Sequence, residues 1–233
     1  MRNEMMHRPV VNQEILDLMR VRQPRVGGAV GEIQNEAEAN GVPVIPNETA
    51  SFLRFFLKQI KAKKVLEIGT AVGFSASLML EAMGDSAHVT TVDRFDVMIR
   101  KAKATFERLE VTDQITLLEG DAKDILPELE ESFDFIFMDS AKSKYIEFLP
   151  ECLRVLKKDG VIMIDDVFQA GTVMWDIKDI PRSQRTIYRK LNLLYDTVLH
   201  HPDLTVTILP LGDGVLMISK DKEEVSLDID LNS

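Results

Sequence analysis

Cysteine is almost absent from this sequence, and so are long hydrophobic runs. Cys152 is the only cysteine in 233 residues, so no internal disulfide bond can form and a reducing compartment is expected. It falls among leucines in a helical pattern, which predicts a packed side chain. No apolar run approaches the ~20 residues that span a bilayer, and the charged first residues lack the apolar stretch of a signal peptide. We therefore expect a cytoplasmic protein that does not enter a membrane.

Positive charge is also scarce. Lys and Arg total 28 against 38 Asp and Glu, which gives a formal net charge of −10. An acidic chain of this kind is not typical of a general DNA-coating protein, although a local basic patch is compatible with it. Hydrophobic residues make up 45% and charged residues 28%, a balance typical of a folded globular protein.

Helical patterns fill the first part of the chain, and the hydrophobic pattern changes at Lys61. Asn47 is the predicted N-cap of the last of these helices. From Lys61 onward, short apolar runs alternate five times with helical patterns. Strands this continuously apolar indicate an α/β fold, in which a mostly parallel sheet is covered by helices on both faces.

The end of the chain shows a different pattern. A long helix is predicted over about 183–199, followed by two strands that form a closing hairpin. We predict a single domain, with an N-terminal helical cap over 1–60, an α/β core over 61–220 and an acidic tail over 221–233.

The loop after the first strand of the core carries the most informative motif. Gly69 and Gly73 let a ligand approach the backbone at the carboxyl end of the strand, where such sheets bind ligands. The spacing matches neither a phosphate-binding P-loop nor the three-glycine dinucleotide fingerprint, which disfavours a dehydrogenase. S-adenosylmethionine (SAM) has no phosphate and needs no phosphate cradle.

Acidic residues at three successive strand ends suit the parts of SAM. Glu67 can face the charged amino group, and Asp93 can accept hydrogen bonds from the ribose hydroxyls. Asp121 and Ala122 can bracket the adenine. Each acid alone has the alternative role of capping a helix, but the three together with the glycine spacing favour a SAM site.

Two further strands end in acids, Asp139 on one and Asp165 with Asp166 on the other. Neighbouring strand ends would place these three carboxylates on one rim beside the cofactor, where they repel one another. A hard divalent cation relieves that repulsion, and oxygen ligands suit Mg²⁺ or Mn²⁺. In the alternative, Asp166 caps the following loop and only Asp139 faces the site.

Lys142 follows Asp139 by three residues and can reach the same rim. Beside a metal and a sulfonium its pKa is predicted to fall, which suits a general base. The metal would then favour the oxyanion of a bound hydroxyl, Lys142 would take the proton, and SAM would present its methyl group in line. A solvated surface lysine is the alternative. A non-catalytic SAM-binding protein, which needs neither the lysine nor the metal, is disfavoured.

These motifs together resemble the metal-dependent O-methyltransferases of the catechol and caffeoyl-CoA type. The resemblance covers roughly residues 40–220 and is carried by LEIGTAVGFS, TVDR, EGDA, MDSAKSKY, GVIMIDDV and HPDLTVTILPLGDG. Within this family the chain is most similar to bacterial tRNA 5-hydroxyuridine methyltransferases, in SQRTIYRKLN and IDDVFQAG. The resemblance implies a Rossmann-like class I methyltransferase fold, with a seven-stranded sheet, an antiparallel C-terminal hairpin and a homodimer.

The resemblance also implies roles for individual residues. Lys142 matches the catalytic lysine, and Asp139, Asp165 and Asp166 match the metal ligands. Asp166 stands where the family usually has Asn, and Tyr195 where it often has Asn. The positions that match the SAM site are Ile45, Glu67, Gly69, Gly73, Ser75, Asp93, Asp121, Ala122 and Asp139.

The predicted metal favours an acceptor with two adjacent oxygens on a planar ring, which both catechols and 5-hydroxyuridine offer. Arg182, Arg185 and Arg189 are spaced to share one helical face that can meet RNA phosphates, and Trp175 and Tyr188 can stack on bases. A solvated, salt-bridged helix face is the alternative. We predict methylation of 5-hydroxyuridine in tRNA to 5-methoxyuridine, with a small catechol-like or caffeoyl-CoA-like phenol as the alternative acceptor and a non-catalytic SAM-binding protein as a distant one.

Overall fold

The computed structural model describes residues 11–229 and contains one seven-stranded sheet. The strands are β1 (Lys64–Ile68), β2 (His88–Asp93), β3 (Ile115–Glu119), β4 (Phe133–Met138), β5 (Leu156–Ile164), β6 (Leu204–Leu209) and β7 (Val215–Lys220). Their order in the sheet is β3-β2-β1-β4-β5-β7-β6.

Strand directions confirm the predicted fold class. The pairs β1–β2, β2–β3 and β4–β5 run parallel, whereas β7 runs antiparallel to both β5 and β6. All residues of β1 but its first are buried, and so are five of the six residues of β4. Such strands have no solvent-facing side, which explains why their sequences read as continuous apolar runs.

Eight α-helices accompany the strands within the described residues. They are α1 (Gln13–Arg22), α2 (Gly28–Ala39), α3 (Asn47–Ile60), α4 (Phe74–Met83), α5 (Asp96–Arg108), α6 (Ala122–Ile125), α7 (Tyr145–Val155) and α8 (Arg185–Val198). None of the described helices is long and apolar enough to cross a membrane. The cytoplasmic location stays a prediction.

The chain divides into two compact units. One is Gln13–Ile125, which holds β1 to β3 and α1 to α6, and the other begins at Leu126 and holds β4 to β7. The first ten residues of the predicted cap and the last four of the predicted tail lie outside the described residues. Residues 221–229 of that tail form neither helix nor strand.

Two local predictions are wrong. Pro46 is the N-cap residue of α3, and its carbonyl accepts the Ala50 amide, so Asn47 is the first helical residue and not the cap. The Asn47 side chain finds no hydrogen-bond partner within the described residues. The last long helix begins at Arg185 rather than near residue 183, because 182–184 form a separate 3₁₀ turn.

Candidate active site

The loop between β1 and α4 requires glycine at two positions. Gly69 has φ 107° and Gly73 has φ 83°, a region that favours glycine. A Cβ atom on Gly73 would also lie 2.6 Å from Cε1 of Phe106, closer than packed atoms approach. The loop therefore has no side chain at these two positions and turns tightly at the carboxyl end of β1. A cofactor loop needs both features, because the cofactor must approach the backbone.

Asp93, the last residue of β2, joins this loop to the next one. Its Oδ2 accepts the Ala71 amide at 3.0 Å, and its Oδ1 accepts the Phe95 amide at 2.8 Å. A carboxylate offers about four acceptor positions, so these two bonds leave capacity for the ribose hydroxyls of SAM. The position of Asp93 suits the role predicted for it.

Glu67 is fully buried near the end of β1. Thr91 Oγ1 donates to Glu67 Oε2 at 2.5 Å, and Thr70 Oγ1 lies 2.6 Å from Thr91 Oγ1. This hydroxyl chain fixes the orientation of the carboxyl group. The sequence offered no signal for Thr91, because its role depends on the pairing of β1 with β2.

Asp121 follows β3 and is already engaged by its neighbours. The Lys123 amide donates to Oδ1 at 3.1 Å, and Arg94 Nη1 donates to Oδ2 at 2.9 Å. These hydrogen bonds, the Lys123 amide first, lower the pKa of Asp121 against the opposing effect of partial burial. Arg94 also lies over the exposed Phe95 ring, 5.0 Å from its centroid. The TVDR motif contains Arg94, but the sequence alone predicted no role for this residue.

The other predicted SAM positions are placed as follows. Ile45 lies in the turn before α3, Ser75 in the first turn of α4, and Ala122 at the start of α6; all three side chains are buried. These positions, Glu67, Gly69, Gly73, Asp93 and Asp121 all belong to the unit Gln13–Ile125. One compact unit thus carries every predicted SAM position except Asp139.

The second unit holds the predicted carboxylate cluster, at the ends of β4 and β5. Desolvation, followed by the charge of Asp166, raises the pKa of Asp139 to about 7. Burial, followed by the charges of Asp139 and Asp166, raises the pKa of Asp165 well above its ordinary value. Asp165 Oδ1 also accepts the Asp166 amide at 2.8 Å. The three carboxylates therefore repel one another, as the sequence predicted.

Lys142 lies between two carboxylates. Its Nζ is 3.0 Å from Asp213 Oδ2 and 3.3 Å from Asp166 Oδ2. Burial lowers the pKa of Lys142, but the charges of Asp166 and Asp213 outweigh it, so the pKa is raised. The fall that the sequence predicts applies to Lys142 beside a bound metal and a sulfonium, and it stays a prediction.

Asp213 was missed as a site residue. The sequence placed it only in the turn of the closing hairpin, yet it is 9% exposed and also accepts the Ala170 amide at 2.6 Å. The GDG triplet within the motif HPDLTVTILPLGDG was the available signal. Lys142 and Asp213 are 71 positions apart, so spacing alone could not join them.

The predicted metal centre is only partly supported. Asp139, Asp165 and Asp166 are oxygen donors of the kind that Mg²⁺ and Mn²⁺ prefer, and their mutual repulsion fits a cation site. Within residues 11–229, however, no group of three or more His, Cys, Asp or Glu side chains is arranged to hold a metal ion. Asp166 forms an ion pair with Lys142 instead. The metal stays a prediction that the chemistry of these donors fits.

The three arginines predicted to form one helical face do not all lie on a helix. Arg182 lies in the 3₁₀ turn before α8, whereas Arg185 begins α8 and Arg189 follows one turn later. Arg185 Nε donates to the Ile180 carbonyl at 3.0 Å, so this arginine anchors the chain. Arg182 and Arg189 are exposed.

Two aromatic residues lie beside these arginines in the sequence. Trp175 is 45% exposed, and the Tyr188 hydroxyl donates to its carbonyl at 2.9 Å. The indole ring is thus available at the surface, whereas Tyr188 helps to hold the segment in place. Tyr195, at the position where the resembled family often has Asn, donates its hydroxyl to the Val167 carbonyl at 2.8 Å.

A mostly parallel seven-stranded sheet, a glycine loop with acidic strand ends and a lysine–carboxylate cluster define a class I methyltransferase. The chain belongs to the O-methyltransferase family, whose family model matches residues 32–221. It is a SAM-dependent O-methyltransferase of the catechol and caffeoyl-CoA type.

Individual relatives agree with this assignment. The chain is 30% identical to a catechol O-methyltransferase of Niastella koreensis, over 70% of this chain and 75% of the relative. It is 28% identical to a caffeoyl-CoA O-methyltransferase of Populus kitakamiensis, over 74% of this chain and 76% of the relative. The structure of the S-adenosylhomocysteine-bound Podospora anserina methyltransferase PaMTH1 is similar, with a TM-score of 0.79 and 25% identity over 91% of this chain and 97% of that chain.

Proposed function

We propose that this enzyme transfers the methyl group of SAM to one of two adjacent oxygens on a planar ring, in a catechol-like or caffeoyl-CoA-like phenol. The observation that carries this proposal is the placement of the Lys142 ammonium beside the carboxylates at the ends of β4 and β5. The names of the relatives favour the phenol over the tRNA acceptor that the sequence alone suggested.

The proposed mechanism assigns binding and charge stabilisation to different residues. Glu67 and Asp93, both fixed by hydrogen bonds, bind the amino and ribose groups of SAM. The acceptor hydroxyl loses its proton to solvent water, and the Lys142 ammonium stabilises the resulting oxyanion. This oxyanion attacks the methyl group as the S–CH₃ bond breaks and S-adenosylhomocysteine leaves. A divalent cation held by Asp139, Asp165 and Asp166 would supply Lewis-acid stabilisation of the same oxygen. The position of Lys142 between Asp166 and Asp213 supports charge stabilisation, and the general-base role predicted from the sequence stays a prediction.

A second candidate acceptor is 5-hydroxyuridine in tRNA. The supporting observation is a set of exposed side chains within residues 174–189 of one unit, which we call the basic-aromatic surface: Met174, Trp175, Arg182 and Arg189. Met174 is 86% exposed and Trp175 45%. The Tyr188 hydroxyl ties the Trp175 backbone to α8, the helix that carries Arg189. Exposed cations and an exposed indole on adjoining segments suit phosphate contact and base stacking on single-stranded RNA.

The test is methyl transfer from labelled SAM, with Mg²⁺ present, to two sets of acceptors. One set is catechol and caffeoyl-CoA, and the other is tRNA carrying 5-hydroxyuridine beside the same tRNA with unmodified uridine as control. Label in the phenols alone supports the main proposal. Label in the hydroxylated tRNA alone replaces it with the second candidate. Label in neither set would contradict both.

A further inference from the structure

Asp213 lies in the turn between β6 and β7 and uses its two carboxylate oxygens for two different tasks. Oδ2 accepts a hydrogen bond from Lys142 Nζ at 3.0 Å, and Oδ1 accepts the Ala170 amide at 2.6 Å. The residue is 9% exposed. A nearly buried carboxylate with both oxygens engaged is fixed in one orientation, so the atoms it binds are fixed with it.

The segment that Asp213 holds, residues 165–171, is strained. Three of its non-glycine residues, Asp166, Gln169 and Ala170, have positive φ angles of 59°, 49° and 54°. L-residues occupy this region at a cost, and such a conformation persists only where surrounding contacts hold it. This segment carries two of the carboxylates of the cluster, Asp165 and Asp166.

The hairpin turn supplies those contacts. The Val167 amide donates to the Gly214 carbonyl at 3.1 Å, and the Phe168 amide donates to the Asp213 carbonyl at 2.8 Å. A Cβ atom on Gly214 would lie 2.4 Å from the Phe168 ring, so glycine is needed for the turn to come this close. The turn and the strained segment are therefore packed together, and each carries one of the two carboxylate partners of Lys142.

Without Asp213, Lys142 would lose the nearer of its two carboxylate partners. Its other carboxylate partner is Asp166, at 3.3 Å, on the strained segment itself. The contact of Lys142 with Asp213 is the shorter of the two, and Asp213 belongs to a separate element, the hairpin of β6 and β7. Asp213 therefore provides a second anchor for the ammonium, on a different element from Asp166, and ties that anchor to the segment through the Ala170 amide.

We propose that Asp213 is a positioning residue of the methyl-transfer reaction, which holds the Lys142 ammonium with one oxygen and the 165–171 segment with the other. It touches neither SAM nor the acceptor in this scheme and acts through Lys142 and through the loop that carries Asp165 and Asp166. The inference rests on the function proposed for Lys142.

The two tasks can be separated by substitution. Asp213→Asn keeps an oxygen acceptor for the Ala170 amide and loses the charge that holds Lys142, whereas Asp213→Ala loses both. Asp213→Glu keeps the charge but moves it by one methylene, and it serves as the second variant if Asp213→Asn folds poorly. The matched control is Asp221→Asn, which removes an exposed carboxylate that accepts from Thr205 at the other end of the hairpin.

Three measurements are made on each intact variant: kcat and KM, the rate at which an amine-reactive reagent modifies Lys142, and amide hydrogen exchange over 165–171. For Asp213→Asn we expect kcat to fall about tenfold or more while KM for SAM changes less than about twofold. Modification of Lys142 should be faster by a similar factor, with hydrogen exchange unchanged. Asp213→Ala should add faster exchange over 165–171. Asp213→Glu should lie between wild type and Asp213→Asn, and Asp221→Asn should match wild type.

Unchanged Lys142 modification in Asp213→Asn and Asp213→Ala would overturn the proposal, and so would a kcat within about twofold of wild type in both. A separate variant, Lys142→Met, distinguishes this failure from failure of the proposed function. If Lys142→Met keeps full activity, the function proposed for Lys142 is wrong. If Lys142→Met is inactive and Asp213→Asn is fully active, only the positioning role is wrong.

Discussion

The ammonium of Lys142 lies 3.3 Å from a carboxylate oxygen of Asp166, at a position where the resembled O-methyltransferases usually carry Asn. The charge of Asp166 raises the pKa of Lys142 and also that of Asp139. At Asp139 the charge of Asp166 adds to the larger effect of desolvation, and at Lys142 it acts with Asp213 against burial, so replacement of Asp166 by the usual Asn has a defined consequence for each.

Asp166→Asn is therefore predicted to lower the pKa of both Lys142 and Asp139. The substitution should not strain the backbone, because Asn tolerates the positive φ of 59° at this position. Since the neutral amine is the reactive form, modification of Lys142 by an amine-reactive reagent at a fixed alkaline pH should become faster. Asp176→Asn, which removes an exposed carboxylate paired with Lys178, is the control. Unchanged reactivity of Lys142 would show that Asp166 does not raise the pKa of Lys142.

Stability should depend on pH through Asp139. Its pKa is raised from 3.8 to about 7 by desolvation and the charge of Asp166, so the folded state binds more protons than the unfolded state between these values. The free energy of unfolding should fall as the pH rises through this window. In Asp139→Asn the free energy of unfolding should fall less between about pH 5 and about pH 8. Denaturant unfolding in EDTA at these two pH values measures the difference.

The control for this comparison is Asp134→Asn on the same strand, where the carboxylate is paired with Lys157 outside the cluster. It should keep the pH dependence of wild type. Equal pH dependence in wild type and Asp139→Asn would contradict the environment described for Asp139.

Gly73→Ala is predicted to destabilise the fold by two effects that a second variant separates. Gly73 (φ 83°, ψ 11°) and Gly171 (φ 81°, ψ −3°) both have left-handed backbones, so alanine is strained at each, by about 1 kcal/mol. At Gly73 the added Cβ also meets the Phe106 ring at 2.6 Å, whereas at Gly171 nothing lies within 4 Å. Thermal unfolding should show a larger loss for Gly73→Ala than for Gly171→Ala, by about 1–3 kcal/mol. Equal losses would mean that the contact with Phe106 relaxes at no cost.

The basic-aromatic surface gives a prediction for the second candidate function. Arg182→Glu with Arg189→Glu should weaken methylation of tRNA about tenfold or more, without changing the affinity for SAM or any turnover of catechol. Arg185 is left in place, because its guanidinium anchors the Ile180 carbonyl and its loss would disturb the fold.

A matched double reversal, Lys58→Glu with Lys158→Glu, changes the net charge equally at exposed positions elsewhere. This control should leave tRNA methylation nearly unchanged. If both double variants weaken tRNA methylation to the same degree, net charge and not the basic-aromatic surface governs the effect.

The sheet could be predicted from sequence because its two central strands are almost fully buried. Four of the five residues of β1 and five of the six residues of β4 are buried, so apolar residues dominate both runs. The same regularity predicted where Asp93 and Asp139 lie, since the position of a strand end follows from the end of the apolar run.

Contacts made between distant parts of the chain could not be predicted. Asp213 reaches Lys142 only because β7 pairs antiparallel with β5, a register that no local pattern encodes. Arg185 was assigned to a phosphate-binding face because helical spacing shows which residues share a side, but not which of them bind a nearby carbonyl.

The most direct test of the account compares methyl transfer from labelled SAM in excess Mg²⁺ and in EDTA, with catechol and with tRNA carrying 5-hydroxyuridine as acceptors. SAM binding is measured in parallel in both conditions. The account predicts that EDTA lowers transfer about a hundredfold or more, whereas SAM binding changes little, because Asp139 is the only residue that the SAM positions share with the carboxylate cluster. Equal rates of transfer with Mg²⁺ and with EDTA would contradict it.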